Sequence, residues 1–188
     1  MLRFVEEFRK HVLMTGFKVN PIDAPEELLR LINREKPSNV ETQVFDAEGI
    51  ATWEHLYFAV LNALMAFNIK SNVSKSLAME TLLYASAQRQ IRKATEILGV
   101  KSGLAKIAFV LIGENAESLE STLSQILKTI GAQRDEAVLE LTEAKAANIR
   151  RIFRISDGEL GSVMKRCETK KALTNLVIER MALLITEH

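Results

Sequence analysis

Apolar residues recur along this chain with two periods. From Leu56 to Phe67 they fall at Leu56, Ala59, Val60, Ala63, Leu64 and Phe67. That spacing predicts a helix with one buried face, capped by Thr52. A polar loop, Asn68 to Ser74, separates it from a helix holding Leu77, Met79, Leu82, Leu83 and Tyr84. A third helix is predicted over about 88–98, with Ile91, Ala94 and Leu98 on one face and Gly99 ending it in a left-handed cap. Upstream, Asp23-Ala-Pro-Glu26 reads as an N-cap opening a short helix through Leu28, Leu29 and Ile32. Downstream, Leu119, Leu123, Ile126, Leu127 and Ile130 mark a helix closed by Gly131. Thr142 caps a helix to Phe153, and Ser156-Asp-Gly-Glu159 is a capping box before the stripe Leu160, Val163, Met164 and Cys167. A last helix spans about 169–185.

The second period is short. Residues 11–19, Val40 with Gln43 to Phe45, and Val138 to Leu141 read as strands. Ala105 to Ile112 is the strongest strand signal, nearly all apolar and therefore central in a sheet. Residues 1–10 carry five charges and read as a lead-in. The pattern predicts one compact α/β (α+β) domain over 11–188, with three or four strands and about seven helices.

Composition narrows the class. A chain of 188 residues buries roughly 70% of its unfolded surface in one core. One cysteine precludes an internal disulfide and suits a reducing compartment. No signal-peptide pattern or membrane-length apolar run is visible, so a cytoplasmic protein with no membrane role is expected.

Catalytic patterns are missing. The histidines are His11, His55 and His188, with no ligand spacing for a metal. Cys167 lies on an apolar stripe, as a core thiol does, and His55 falls at a helix start or core position. Neither GxxxxGK[ST] nor GxGxxG occurs. Nothing calls for a metal or cofactor.

Charge does change the picture. The total is +1, yet residues 70–93 hold five cations against Glu80 alone, and residues 145–154 hold four cations and no acid. Each island is net +4, in a remainder of −7. Such islands are solvated helix faces or local phosphate contacts. In the first island, Tyr84-Ala-Ser-Ala-Gln-Arg-Gln90 joins two helices. It is expected to place Ser86, Gln88, Arg89 and Gln90 near a helix N-terminus, where free amides favour anions. Tyr84 suits either the core or stacking on a base. The RNA-contact candidates are Lys70, Asn72, Lys75, Ser86, Arg89, Gln90 and Arg92. In the last helix Leu173, Leu176, Val177, Met181 and Leu184 form one stripe, widened by Ile178, Ala182 and Ile185. Such breadth suits a buried core helix or one that also packs on a partner. With Arg180, the stripe is the candidate partner surface.

Three segments together carry a resemblance: Gln43-Val-Phe-Asp-Ala47, Ile50-Ala-Thr-Trp-Glu-His-Leu56, and Ser76-Leu-Ala-Met-Glu-Thr-Leu-Leu-Tyr-Ala-Ser-Ala-Gln-Arg-Gln-Ile91. With the closing Glu179-Arg-Met-Ala-Leu-Leu184, the chain resembles the small kinase-binding subunits of the KEOPS complex, which threonylcarbamoylates tRNA. The family commonly has glycine where Ala87 stands, implying a differently shaped turn. The resemblance implies a non-enzymatic subunit, a monomer when isolated. It would bind the complex's small atypical kinase/ATPase and recruit tRNA by its 3′-CCA end. The alternative is a homo-oligomeric structural module, paired through the last helix and without an RNA role.

Overall fold

A computed structural model describes residues 1–164 and 168–184. Two long strands make its frame. Strand β2 (Lys10–Lys18) pairs antiparallel with β4 (Lys106–Gly113) over eight residue pairs, from His11 opposite Gly113 to Lys18 opposite Lys106. Strand β1 (Leu2–Val5) adds to the outer edge of β2, and β3 (Glu41–Asp46) to that of β4. The two-residue β5 (Gln133–Arg134) pairs with the end of β2. The order is β1-β2-β4-β3, and every pairing is antiparallel.

Side chains alternate across this sheet and feed two cores. Val12, Met14, Phe45, Ala108, Val110 and Ile112 face α2 (Trp53–Asn68) and α3 (Leu77–Ala85). Leu13, Phe17, Val44, Ile107, Phe109 and Leu111 face α1 (Pro25–Glu35) and α5 (Ala116–Ile130). Helices on both faces explain the continuous apolar run of β4. A third cluster joins α6 (Glu143–Phe153), α7 (Asp157–Met164) and α8 (Thr169–Leu183). The short α4 (Ile91–Leu98) follows α3. Five strands and eight α-helices among the described residues thus form one mixed α/β domain.

Several local expectations are corrected. Residues 2–5 are not a loose lead-in. Leu-Arg-Phe-Val alternates as an edge strand, and Arg3 lies 5.0 Å over the Trp53 ring. Residues 136–139 form a 3-10 turn, not a strand, because the Asp135 carboxylate accepts from the Ala137 amide and bends the chain. That turn seats Val138 against Gly16, where an added Cβ would lie 2.6 Å from the Val138 Cβ. Ala24, not Asp23, occupies the N-cap of α1, with Pro25 first in the helix. Gly99 is extended (φ −69°) and is required by closeness instead: a Cβ there would lie 2.4 Å from the Thr95 carbonyl oxygen. Thr142 caps α6, and Ser156 and Glu159 exchange hydrogen bonds as a capping box. Leu160 is buried, Val163 half-buried and Met164 exposed, so the α7 stripe is narrower than expected. Cys167 lies outside the described residues.

His55 links two elements of the first core. Its Nδ1 accepts from the Ala51 amide at 3.1 Å, so the proton sits on Nε2, which donates to the Ala85 carbonyl at 2.8 Å. The ring is fully buried and packs edge-on to Phe153. It therefore ties the start of α2 to the end of α3. Burial pushes its pKa down from 6.5 to about 4, since a second ring proton would face the Ala51 N–H. The native state thus binds this proton less readily than the unfolded chain. Stability from His55 is complete above pH 6.5 and is lost as pH falls toward 4. The shift corresponds to about 3 kcal/mol. Urea unfolding at pH 7 and pH 4.5 is expected to show a steeper stability loss for the wild type than for His55→Gln. Equal losses would contradict this assignment.

Candidate nucleic-acid interface

Helix α2 ends in a reversal that starts the basic segment. Lys70 adopts a left-handed conformation (φ +58°), and the Ser71 amide donates back to the Ala66 carbonyl at 2.9 Å. The following loop has no regular structure, yet it is anchored. The Glu80 carboxylate, from the first turn of α3, accepts from the Val73 amide at 3.1 Å and the Ser74 amide at 2.7 Å. The Asn72 side-chain amide donates to the Ser74 carbonyl, and Ser76 caps α3 by accepting from the Met79 amide. Glu80 is only 2% exposed. The single acid of residues 70–93 therefore points inward, and its oxygens are occupied by backbone amides. Lys70, Lys75, Arg92 and Lys93 lie outside.

The second half of the segment is the turn from α3 to α4. Ser86 closes α3 and does not open α4. It is buried, and its hydroxyl donates to the Leu83 carbonyl at 3.0 Å. Its expected place at a helix N-terminus is corrected on this geometry. Ala87 takes the left-handed position (φ +50°), and the Gln88 amide donates to the Leu83 carbonyl. The turn of a glycine is thus made by alanine. Gln90 is the N-cap of α4 and makes no side-chain cap, so the first amides of that helix lack a partner from it. Arg89 is half-buried and donates from Nη1 to the Leu184 carbonyl at 3.1 Å.

The two halves meet. Ser71, Val73, Glu80, Tyr84, Gln88 and Arg89 line one narrow crevice. Tyr84 is buried there, as a core residue. Burial first, then the Glu80 carboxylate, raise its phenol above the usual value, while Arg89 opposes. Of the other candidates, Lys70 and Asn72 flank the lining residue Ser71 in sequence and Gln90 follows Arg89, while Lys75 and Arg92 lie further along the chain. None of the five lines the crevice itself. Two apolar side chains of this segment are displayed to solvent: Val73 is 48% exposed and Ile91 46%. Ile91 was expected to face inward with Ala94 and Leu98, but only those two do. Arg92 makes an exposed ion pair with Glu96 at 3.6 Å, an interaction worth under about 1 kcal/mol and readily exchanged.

The other basic island is largely spent internally. Lys145 is buried and donates to the carbonyls of Val138 (2.9 Å) and Glu140 (3.4 Å), and burial pushes its pKa down to about 8. Arg150 pairs with Asp157 at 2.5 Å. That leaves Arg151 and Arg154 exposed. Spacing alone shows charge, not the carbonyls that consume it.

The stripe of α8 is core in this chain. Leu173, Leu176 and Val177 are buried in the α6–α7–α8 cluster, and Met181 and Leu184 in the α2 cluster. Arg180 pairs with Glu159 and so ties α8 to α7. The helix is apolar over half its circumference because it serves two clusters. None of these six residues is therefore a free partner surface. Outward apolar groups lie instead on α2, where Phe58 and Met65 are exposed at i and i+7. Phe58 and Ile178 border a groove of about 1000 Å³ between α2 and α8, with Trp53, Leu139, Leu141 and Lys171 in its lining. Among the described residues no group of His, Cys, Asp or Glu is arranged to hold a metal, and no helix is long and apolar enough to cross a membrane.

Helices cover both faces of the antiparallel sheet, and the α2–α3 and α3–α4 connections meet at a crevice holding Glu80 and Arg89. The chain belongs to the family described as kinase binding protein CGI-121, which it matches over residues 20–184. Among its relatives is the regulatory protein Cgi121 of Methanocaldococcus jannaschii. The two are 38% identical over 134 residues, which span 71% of this chain and 83% of that protein.

The turn geometry yields a stability prediction. A left-handed alanine costs roughly 1–2 kcal/mol, part of which glycine returns as unfolded-state entropy. Ala87→Gly is expected to raise unfolding stability by about 0.5–1 kcal/mol, measured by urea titration. A destabilised variant would contradict the left-handed assignment.

Proposed function

We propose that this chain is a non-catalytic, monomeric, cytoplasmic subunit of a KEOPS-like complex, which threonylcarbamoylates the adenosine next to the tRNA anticodon. In this reading it docks the small atypical kinase/ATPase of that complex and recruits tRNA by the 3′-CCA end. The observation that carries the RNA role is the meeting of Ser71 and Val73 with Gln88 and Arg89 at a crevice whose one lining acid, Glu80, is turned inward. Family membership and the regulatory relative support the kinase role.

The chemistry suits a single-stranded end. Lys70, Lys75, Arg89 and Arg92 supply cations for phosphates, and Asn72 and Gln90 supply amide edges. The α4 N-terminus adds backbone donors. Val73 and Ile91 offer apolar contact to unstacked bases. Ser86 shapes the turn from beneath and makes no contact with RNA. A grip on the far end of tRNA raises the effective concentration of the anticodon loop at a distant active site, so modest affinity suffices. For the kinase, the reading moves from the buried α8 stripe to the outer surface over it. That surface consists of Phe58 and Met65 on α2 and Ile178 and Ala182 on α8. Leu173, Leu176, Val177, Met181 and Leu184 hold the helix beneath, with Arg180 fixed to α7.

Two measurements test these roles separately. Removing CCA from tRNA is expected to weaken binding at least tenfold, and Lys75→Glu with Arg92→Glu to weaken it similarly at unchanged thermal stability. Equal affinity for intact and truncated tRNA would end the CCA role. Met65→Glu is expected to abolish co-purification with the kinase subunit while the chain keeps its circular dichroism spectrum. Leu176→Glu is expected to unfold the chain. Retained kinase binding by Met65→Glu would move the docking surface elsewhere.

A further inference from the structure

We propose that Glu80 is the positioning residue of the RNA-binding surface, so that removing its negative charge weakens the binding of an anion. The inference rests on the RNA reading above and names what holds that surface in shape. By charge alone the opposite is expected. Glu80 is the one acid among the five cations of residues 70–93, and a carboxylate within reach of bound phosphates repels them. Neutralising it should then tighten binding.

The geometry opposes that expectation. Residues 70–76, Lys-Ser-Asn-Val-Ser-Lys-Ser, are polar except for Val73 and form no helix or strand. Ser71 is tied back to α2 through the Ala66 carbonyl, and the bonds of Asn72 to Ser74 and of Ser76 to Ser74 stay within the loop. What joins the middle of the loop to α3 is the Glu80 carboxylate, through the amides of Val73 and Ser74. Those bonds turn the Val73 and Ser74 amides inward. They leave Val73's side chain and the flanking Lys70 and Lys75 outside. A buried carboxylate facing amide dipoles is also partly compensated where it stands. Its repulsion at the surface is smaller than the gain from holding two lysines in place.

Glutamine and aspartate separate the two effects. Glu80→Gln keeps the length but sets a side-chain NH₂ against backbone N–H donors, so the anchor loses bonds and the charge goes. Glu80→Asp keeps the charge but falls one methylene short of the loop. Positioning predicts weaker tRNA binding for both, about tenfold for Gln and less for Asp. The salt slope of log affinity should also fall. Losing ordered contacts from Lys70 and Lys75 reduces it by about 1.4 for a single strand. A residue that merely stabilised the fold would leave the slope of the folded fraction unchanged.

The test is tRNA binding by the full chain over a salt series for wild type and both variants. It is run with thermal unfolding and amide exchange at Val73 and Ser74. The proposal expects weaker affinity, a shallower slope and faster exchange at those two amides. Tighter or equal binding by Glu80→Gln with an unchanged slope would overturn it. If the wild type binds tRNA without salt dependence, the RNA reading fails and this role with it. Exchange at the two amides then still shows whether Glu80 anchors the loop.

Discussion

A single buried carboxylate organises the surface on which the functional reading depends. Glu80 accepts from two successive amides of a loop that has no regular structure of its own. Its burial is supportable because those donors replace the water it gives up. The result is an anchored loop whose cations are exposed while the one acid in the segment is buried. Without that anchor, Lys70 and Lys75 would be two mobile charges on a polar linker. With it, they flank a loop whose Ser71 and Val73 share a crevice with Gln88 and Arg89.

That anchor works only because α3 is itself fixed. His55 hydrogen-bonds to the start of its own helix and to the last residue of α3, so α2 and α3 are locked end to end. The α3–α4 turn begins directly after this bond, at Ser86 and the left-handed Ala87. Behind both helices stands the β2–β4 pair, buried on two faces. The order of dependence runs from sheet to α2, from α2 through His55 to α3, and from α3 through Glu80 to the loop. The partner surface shares this frame, since α8 packs on α2 through Met181 and Leu184.

Much of this was legible from residue order. The α2 stripe, the apolar run of β4, the Thr142 cap and the Ser156–Glu159 box follow from short-range rules, and each is present in the structure. What short-range rules lack is the partner across space. Val138 reads as a strand residue until Gly16 and Asp135 are seen to bend the chain around it. Residues 2–5 read as charged lead-in because the charges around them mask a hairpin: the edge of β2 that they complete lies just beyond the 3-10 turn at Glu6–Phe8. The stripe of α8 signals burial correctly, but no periodicity says whether a helix is covered by its own chain or by another. The second basic island fails for the same reason, since Lys145 finds its carbonyls within the fold. Glu80 did leave a trace: a lone acid in a basic segment, in the first turn of a helix after a polar loop. Residue order shows that carboxylate as a charge; the amides that occupy its lone pairs appear only in the fold.

The central claim is that the surface around the Glu80 crevice, and not the island at 145–154, receives RNA. Amide chemical-shift mapping with an RNA hairpin ending in unpaired CCA tests it most directly. The account predicts shifts concentrated at residues 70–75 and 88–93, with Arg151 and Arg154 unmoved. Shifts centred on α6, with the crevice silent, would contradict it.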